Sequence, residues 1–153
     1  MSTIPPALPD HLLELIRHGE DYRIEYKEAR KELPKNLFAT VTAFANRDGG
    51  DIFLGVHATG VIVGIDATLS AKFITNFITL AHNKEEIFPS IDIVVNEYVY
   101  ISDGSFVGID KNGKTLCEQA GTYHIIHIHV PVSCAVVRHK VEFMIETEML
   151  ILI

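Results

Sequence analysis

A chain of 153 residues with 48% hydrophobic side chains is long enough for one buried core and too apolar to remain unfolded. It holds no apolar run near the ~20 residues that cross a bilayer, so no membrane partner is expected. The formal charge of −7 makes the chain a poor generic binder of nucleic acid, because affinity for phosphate comes largely from cation contacts. That charge is uneven. Leu15 to Arg47 carries seven Lys/Arg against five Asp/Glu, whereas Glu85 to the end carries ten acids against four bases. A polyanion site therefore belongs on the N-terminal third.

Residues 1–9 hold Pro5, Pro6 and Pro9 and read as an irregular lead-in to a single domain over 10–153, either alone or within a longer protein. The lead-in has neither the basic nor the apolar region of a signal peptide, so a cytoplasmic location is expected. Cys117 and Cys134 lack CxxC spacing and are expected to be reduced. Asp10 is placed to cap a helix reaching Arg17, with Leu12, Leu13 and Ile16 on one side. Tyr22 to Lys27 alternates strictly, which predicts a half-buried strand. Tyr22, Ile24 and Tyr26 share one face; Arg23, Glu25 and Lys27 share the other.

Pro34 suits the first position of a helix over Pro34–Asn46, whose buried face is Leu37, Phe38, Val41, Phe44 and Ala45. Gly49-Gly50 ends it. The strand Ile52–Val56, a turn at Gly60 and Val61–Val63 predict a hairpin. Ser70 is placed to cap a second long helix to His82, with Phe73, Ile74, Phe77, Ile78 and Ala81 inward. Strands are predicted over Ile91–Tyr100 and Tyr123–Val132, with a last hairpin pairing Cys134–Val137 with Val141–Ile145. Helices early and strands late predict an α+β fold, a mixed or mostly antiparallel sheet with the two main helices packed on one face.

Two patterns invite a chemical reading. Gly108-Ile-Asp-Lys-Asn-Gly113-Lys114-Thr115 matches GxxxxGK[ST] and would make an ATP-binding protein. A phosphate loop must open a helix, however, and only about one and a half turns could follow before Gly121. Asn112-Gly113 is also a preferred hairpin turn, so a β-turn is expected. On a strand, His127 and His129 share a face and His124 points away; a zinc site would need a third group, and plain strand histidines are the simpler reading.

Five ordered segments resemble the Schlafen AlbA-type domain family. They are Glu20-Asp-Tyr-Arg-Ile-Glu25-Tyr-Lys27, Ala43-Phe-Ala-Asn46-Arg-Asp-Gly49-Gly50, Asp51-Ile-Phe-Leu-Gly55-Val56, Gly60-Val-Ile-Val-Gly64-Ile65, and Ile128-His-Val130-Pro131-Val-Ser133 with Arg138 beyond. The resemblance covers roughly residues 12–147. It implies nucleic-acid association, DNA before RNA, in a regulatory and transcription-associated role. In some animal members the domain resembles an RNA endonuclease using three acids and a divalent metal. Two of those acids match Glu20 and Glu25, while the third position is His57 here. Losing one carboxylate weakens a site for hard cations. The other reading of Glu25 is a surface strand residue paired with Arg23 or Lys27.

In the glycine block, Asn46 is placed to bond local backbone in a turn. Gly49 and Gly50 either make a tight helix-to-strand connection or present amides as an anion nest. Gly55 admits another backbone or a ligand close to its strand. The expected nucleic-acid contacts are Arg23, Lys27, Arg30, Lys31, Lys35 and Arg47. The leading expectation is a non-catalytic module without a cofactor. The alternatives are a nuclease using Glu20 and Glu25 with Mg²⁺ or Mn²⁺, and an ATP-binding protein through Gly108 to Thr115. A homodimer stays open.

Overall fold

The structure, a computed structural model, describes residues 4–83 and 87–139. Its centre is a four-stranded mixed sheet in the order β1-β2-β7-β4, built from Ile24–Lys27, Gly50–Leu54, Gly121–Val130 and Val94–Ser102. β1 runs parallel to β2, and the other neighbours are antiparallel. The short strands β3 (Ile87–Phe88) and β8 (Arg138–His139) pair with each other, as do β5 (Val107–Ile109) and β6 (Thr115–Cys117).

Strand alternation divides the core between the two faces of the sheet. One face presents Ile52, Leu54, Ile126, Ile128 and Val130 to α2 (Leu37–Ala45) and α3 (Ser70–Ala81). All five expected residues of α2 are buried, and Phe38 stacks on Phe77 of α3 at 5.2 Å between ring centroids. The other face presents Ile24, Tyr26, Phe53 and Ile125 to Leu12 and Ile16 of α1 (Asp10–His18). The two main helices thus share a face as expected, and the first helix covers the opposite one. Burial pushes the Tyr26 phenol up to about 12, and its hydroxyl donates to the Ile16 carbonyl of α1.

Several local expectations are corrected. Asp10 is the first helical residue, Pro9 takes the cap position, and no side chain caps this end. Tyr22 lies outside β1 and is 57% exposed. Pro34 sits in a turn, its carbonyl accepting the Leu37 N–H at 3.2 Å, and α2 starts three residues later. Ser70 lies inside α3, and its hydroxyl serves Glu97 rather than the helix end. Ile78 is exposed, because Phe73, Phe77 and Ala81 already fill the narrow strip that α3 lays on the sheet. Residues 61–63 return on Gly55 and Val56 through a bridge at Val56 and Ile62 instead of a full strand. Residues 134–137 form no strand; Arg138–His139 pairs with β3, and Val141–Ile145 lies outside the described residues.

Candidate nucleic-acid interface

The six expected cations do not share one environment. The chain leaves β1 at Lys27 and reaches α2 only at Leu37, so residues 28–36 form an exposed connection. Arg30, Lys31 and Lys35 stand in solvent there, beside a groove of about 680 Å³ that the connection itself lines. Arg30 lies 3.9 Å from Glu28, while Lys31 and Lys35 have no ion pair within 4.0 Å among the described residues. Arg23 and Arg47 are exposed at the other end of β1 and α2, Arg23 over the Tyr22 ring and 3.9 Å from Asp48.

Lys27 departs from the expectation. It is 8% exposed, with its ammonium 3.0 Å from Asn36 Oδ1 and 3.5 Å from Glu25 Oε1. The connection folds back over this side of the edge strand, so a residue read as outward-facing becomes an internal tie. Glu25 is paired with Lys27, one of the two partners weighed for it, but the pair is half-buried rather than on the open surface.

Glu20 borders a cleft of about 470 Å³ between the end of α1, Thr59 and β5, together with Arg17, His18, Phe106 and Lys111. Burial raises the Glu20 carboxyl above its ordinary value, and Glu25 nearby adds to this; the Tyr26 backbone N–H and Lys111 oppose it. His57 Nδ1 is 2.9 Å from Thr59 Oγ1. Among the described residues, no three His, Cys, Asp or Glu side chains are grouped so as to hold a metal ion. Glu20, Glu25 and His57 are not brought together as such a group.

The glycine block is structural in its details. The Gly49 N–H donates to Phe44 O at 2.8 Å, closing the end of α2, so it is not offered to an anion. A Cβ on Gly49 would meet Val130 O at 2.6 Å, and one on Gly50 would meet the Phe44 ring at 2.6 Å. Gly55 admits the Gly64 backbone, the close approach foreseen for it. Asn46 reaches past local groups to Val137, 91 positions away.

Gly108–Thr115 is the β5–β6 hairpin with Gly113 at φ 84°, and Asp110 Oδ1 accepts from the Asn112 and Lys114 N–H groups. This is the expected turn, and it removes the phosphate loop on which an ATP reading stood. His127 and His129 do share a face, and both turn to Asp51 Oδ1, at 2.7 and 3.0 Å. Burial pushes the Asp51 carboxyl up, but these two hydrogen bonds outweigh it and hold the group below the ordinary range. His127 is buried, unlike the plain surface histidine expected.

Two groupings escaped the sequence. Glu118, fully buried, accepts both guanidinium nitrogens of Arg17 at 2.9 and 3.0 Å, the Ser102 hydroxyl at 2.6 Å and the Ile62 N–H at 2.9 Å. His124 pairs with Glu97 on β4. Neither has a local spacing signal, because both depend on which strands become neighbours. No helix of the described residues is long and apolar enough to cross a membrane.

A family model described as Schlafen, AlbA_2 matches residues 20–148. No curated protein matches the chain.

Proposed function

The chain belongs to the Schlafen AlbA_2 family, and from that membership we propose that it is a nucleic-acid-binding module, DNA before RNA, regulatory and transcription-associated, with no catalytic step of its own. The observation that carries the reading is the exposed connection holding Arg30, Lys31 and Lys35. Three cations stand within six residues, two of them with no ion pair within 4.0 Å among the described residues, on an otherwise acidic chain. Phosphate contacts are made mainly by such side chains, and their release of counterions drives association. Arg23 and Arg47 extend the same basic end of the sequence.

The test is equilibrium binding of the chain to single- and double-stranded DNA and RNA at 50 and 200 mM salt. The reading expects binding that weakens steeply with salt, duplex DNA at least as tight as RNA, and no product. Absence of binding at the lower salt would overturn it. Cleavage that requires Mg²⁺ or Mn²⁺ would move the assignment to the nuclease alternative through Glu20 and Glu25.

A further inference from the structure

We propose that the hollow beside the start of β7 is a phosphodiester subsite, with His124 as the side chain that grips the phosphate; this rests on the nucleic-acid reading above and deepens it. The hollow measures about 360 Å³ and is bordered by Arg30, Lys31, Gly64, Asp66, Tyr123 and His124. Three separate segments meet there. The Asp66 N–H donates to Arg30 O at 3.1 Å, and the Ile65 N–H donates to His124 O at 2.8 Å. These bonds fix the basic connection against the 64–66 turn, and that turn against β7. Gly64, at φ 80°, has no room for a side chain, because a Cβ would lie 2.9 Å from Tyr123 Cδ1.

The histidine is set up from behind. Its Nδ1 is 2.8 Å from Glu97 Oε2. A carboxylate oxygen only accepts, so Nδ1 carries the proton. The same oxygen takes the Ser70 hydroxyl at 2.6 Å, which holds the carboxylate in place from the first turn of α3. His124 Nε2 has no hydrogen-bond partner among the described residues and is not a buried atom. A histidine kept only for packing would not need a carboxylate and a hydroxyl from two other elements to fix its plane. Here the ordered ring leaves one nitrogen open, on a residue that borders a hollow rimmed by two cations.

A phosphate arriving at Nε2 places anions on both sides of the ring. That arrangement favours the imidazolium, which then donates a charge-assisted hydrogen bond to a phosphate oxygen. Arg30 and Lys31 add fixed positive charge from the rim. Two carboxylates oppose them. Glu97 lies behind the ring, and Asp66 lies on the rim with its Oδ1 already accepting the Thr68 N–H and hydroxyl at 3.0 and 2.7 Å.

The experiment follows the His124 ring nitrogens by NMR in the intact chain during titration with three probes: a dithymidine monophosphate, its uncharged methylphosphonate analogue, and inorganic phosphate. The proposal expects saturable shifts with the diester and none with the uncharged analogue. A parallel shift with inorganic phosphate would show that the phosphate group itself is recognised. His124→Gln should weaken oligonucleotide binding about tenfold, as loss of one charged hydrogen bond does, while the melting temperature holds. Glu97→Gln should reduce the diester response without abolishing it. Ring nitrogens unmoved by both phosphate probes overturn the subsite. An unchanged oligonucleotide affinity in His124→Gln overturns it as well, while the nucleic-acid reading survives. Ring shifts with the diester in a chain that binds no oligonucleotide would keep the subsite and sink the wider reading.

Discussion

Asn46 holds Val137 by both backbone groups: its Nδ2 donates to the Val137 carbonyl at 2.7 Å, and its Oδ1 accepts the Val137 N–H at 2.7 Å. Only an amide side chain supplies a donor and an acceptor side by side in this way. The clamp joins the end of α2 to the segment that enters β8, and Ser133 adds an N–H donated to Ala45 O at 2.8 Å.

Asn46→Ala should therefore cost about 1–3 kcal/mol, because it strips partners from a buried backbone unit. Asn46→Asp keeps the acceptor and sets a carboxylate against the Val137 carbonyl, so it should not rescue. Chemical denaturation of the three proteins checks this. Equal stability of Asn46→Ala and the parent would show that the clamp contributes nothing.

Two glycines with similar dihedral angles should respond differently to alanine. Gly49 (φ 76°) and Gly113 (φ 84°) both adopt a conformation disfavoured for other residues. A Cβ at Gly113 meets nothing within 4 Å, so Gly113→Ala should cost about 1 kcal/mol of backbone strain alone. A Cβ at Gly49 would also press on Val130 O at 2.6 Å, within the β2–β7 neighbourhood. Gly49→Ala should then cost about 3 kcal/mol or more, since backbone on both sides must move. Thermal melts of the two variants should separate clearly, and coinciding melts would count against the steric argument.

These two cases also mark what was readable beforehand. The apolar faces of α2 and α3 repeat every three to four residues, and that period is local, so the buried phenylalanines and the Gly49-Gly50 stop were legible. The environment of Lys27 was not. Alternation says which side of a strand a residue takes, but not that the following connection will fold over that side and bring Asn36 onto its ammonium. Ser70 looked like a cap because it precedes a periodic run; its hydroxyl instead answers a carboxylate 27 positions away. The pairs His124–Glu97 and Arg17–Glu118 follow from strand order and from where α1 docks, which no short window records.

The Arg17–Glu118 pair predicts a pH dependence. Burial pushes the Glu118 carboxyl up, but hydrogen bonds from Arg17, Ser102 and the Ile62 N–H, with the Arg17 charge, bring it below the ordinary range. A carboxyl lowered on folding contributes stability that is complete above its unfolded pKa and lost as pH falls through the folded value. Arg17→Met leaves the buried carboxylate without its countercharge and should cost about 3 kcal/mol near neutral pH. It should also shift the acid-unfolding midpoint of the variant to higher pH. A variant whose acid midpoint matches the parent would show that the pair does not set this dependence.

The basic connection gives the last prediction, because burial separates cations that the sequence grouped together. Arg30, Lys31 and Lys35 are exposed, whereas Lys27 is enclosed by Asn36 and Glu25. Exposed charges contribute little to stability, so replacing all three with alanine should leave the melt almost unchanged. The same triple variant should bind every DNA sequence more weakly, and its salt slope should fall by about 2–3, one counterion contribution for each lost phosphate contact. Lys27→Ala should behave in the opposite way. It removes a buried partner of Glu25 and Asn36, so it should lower stability by about 1–3 kcal/mol and leave the salt slope intact. Melts and salt titrations of the two variants form a cross-check, since each variant should move one measurement and spare the other. A triple variant with the parental salt slope would remove the connection from the interface. A Lys27→Ala variant that lost slope but not stability would show that this side chain reaches phosphate after all.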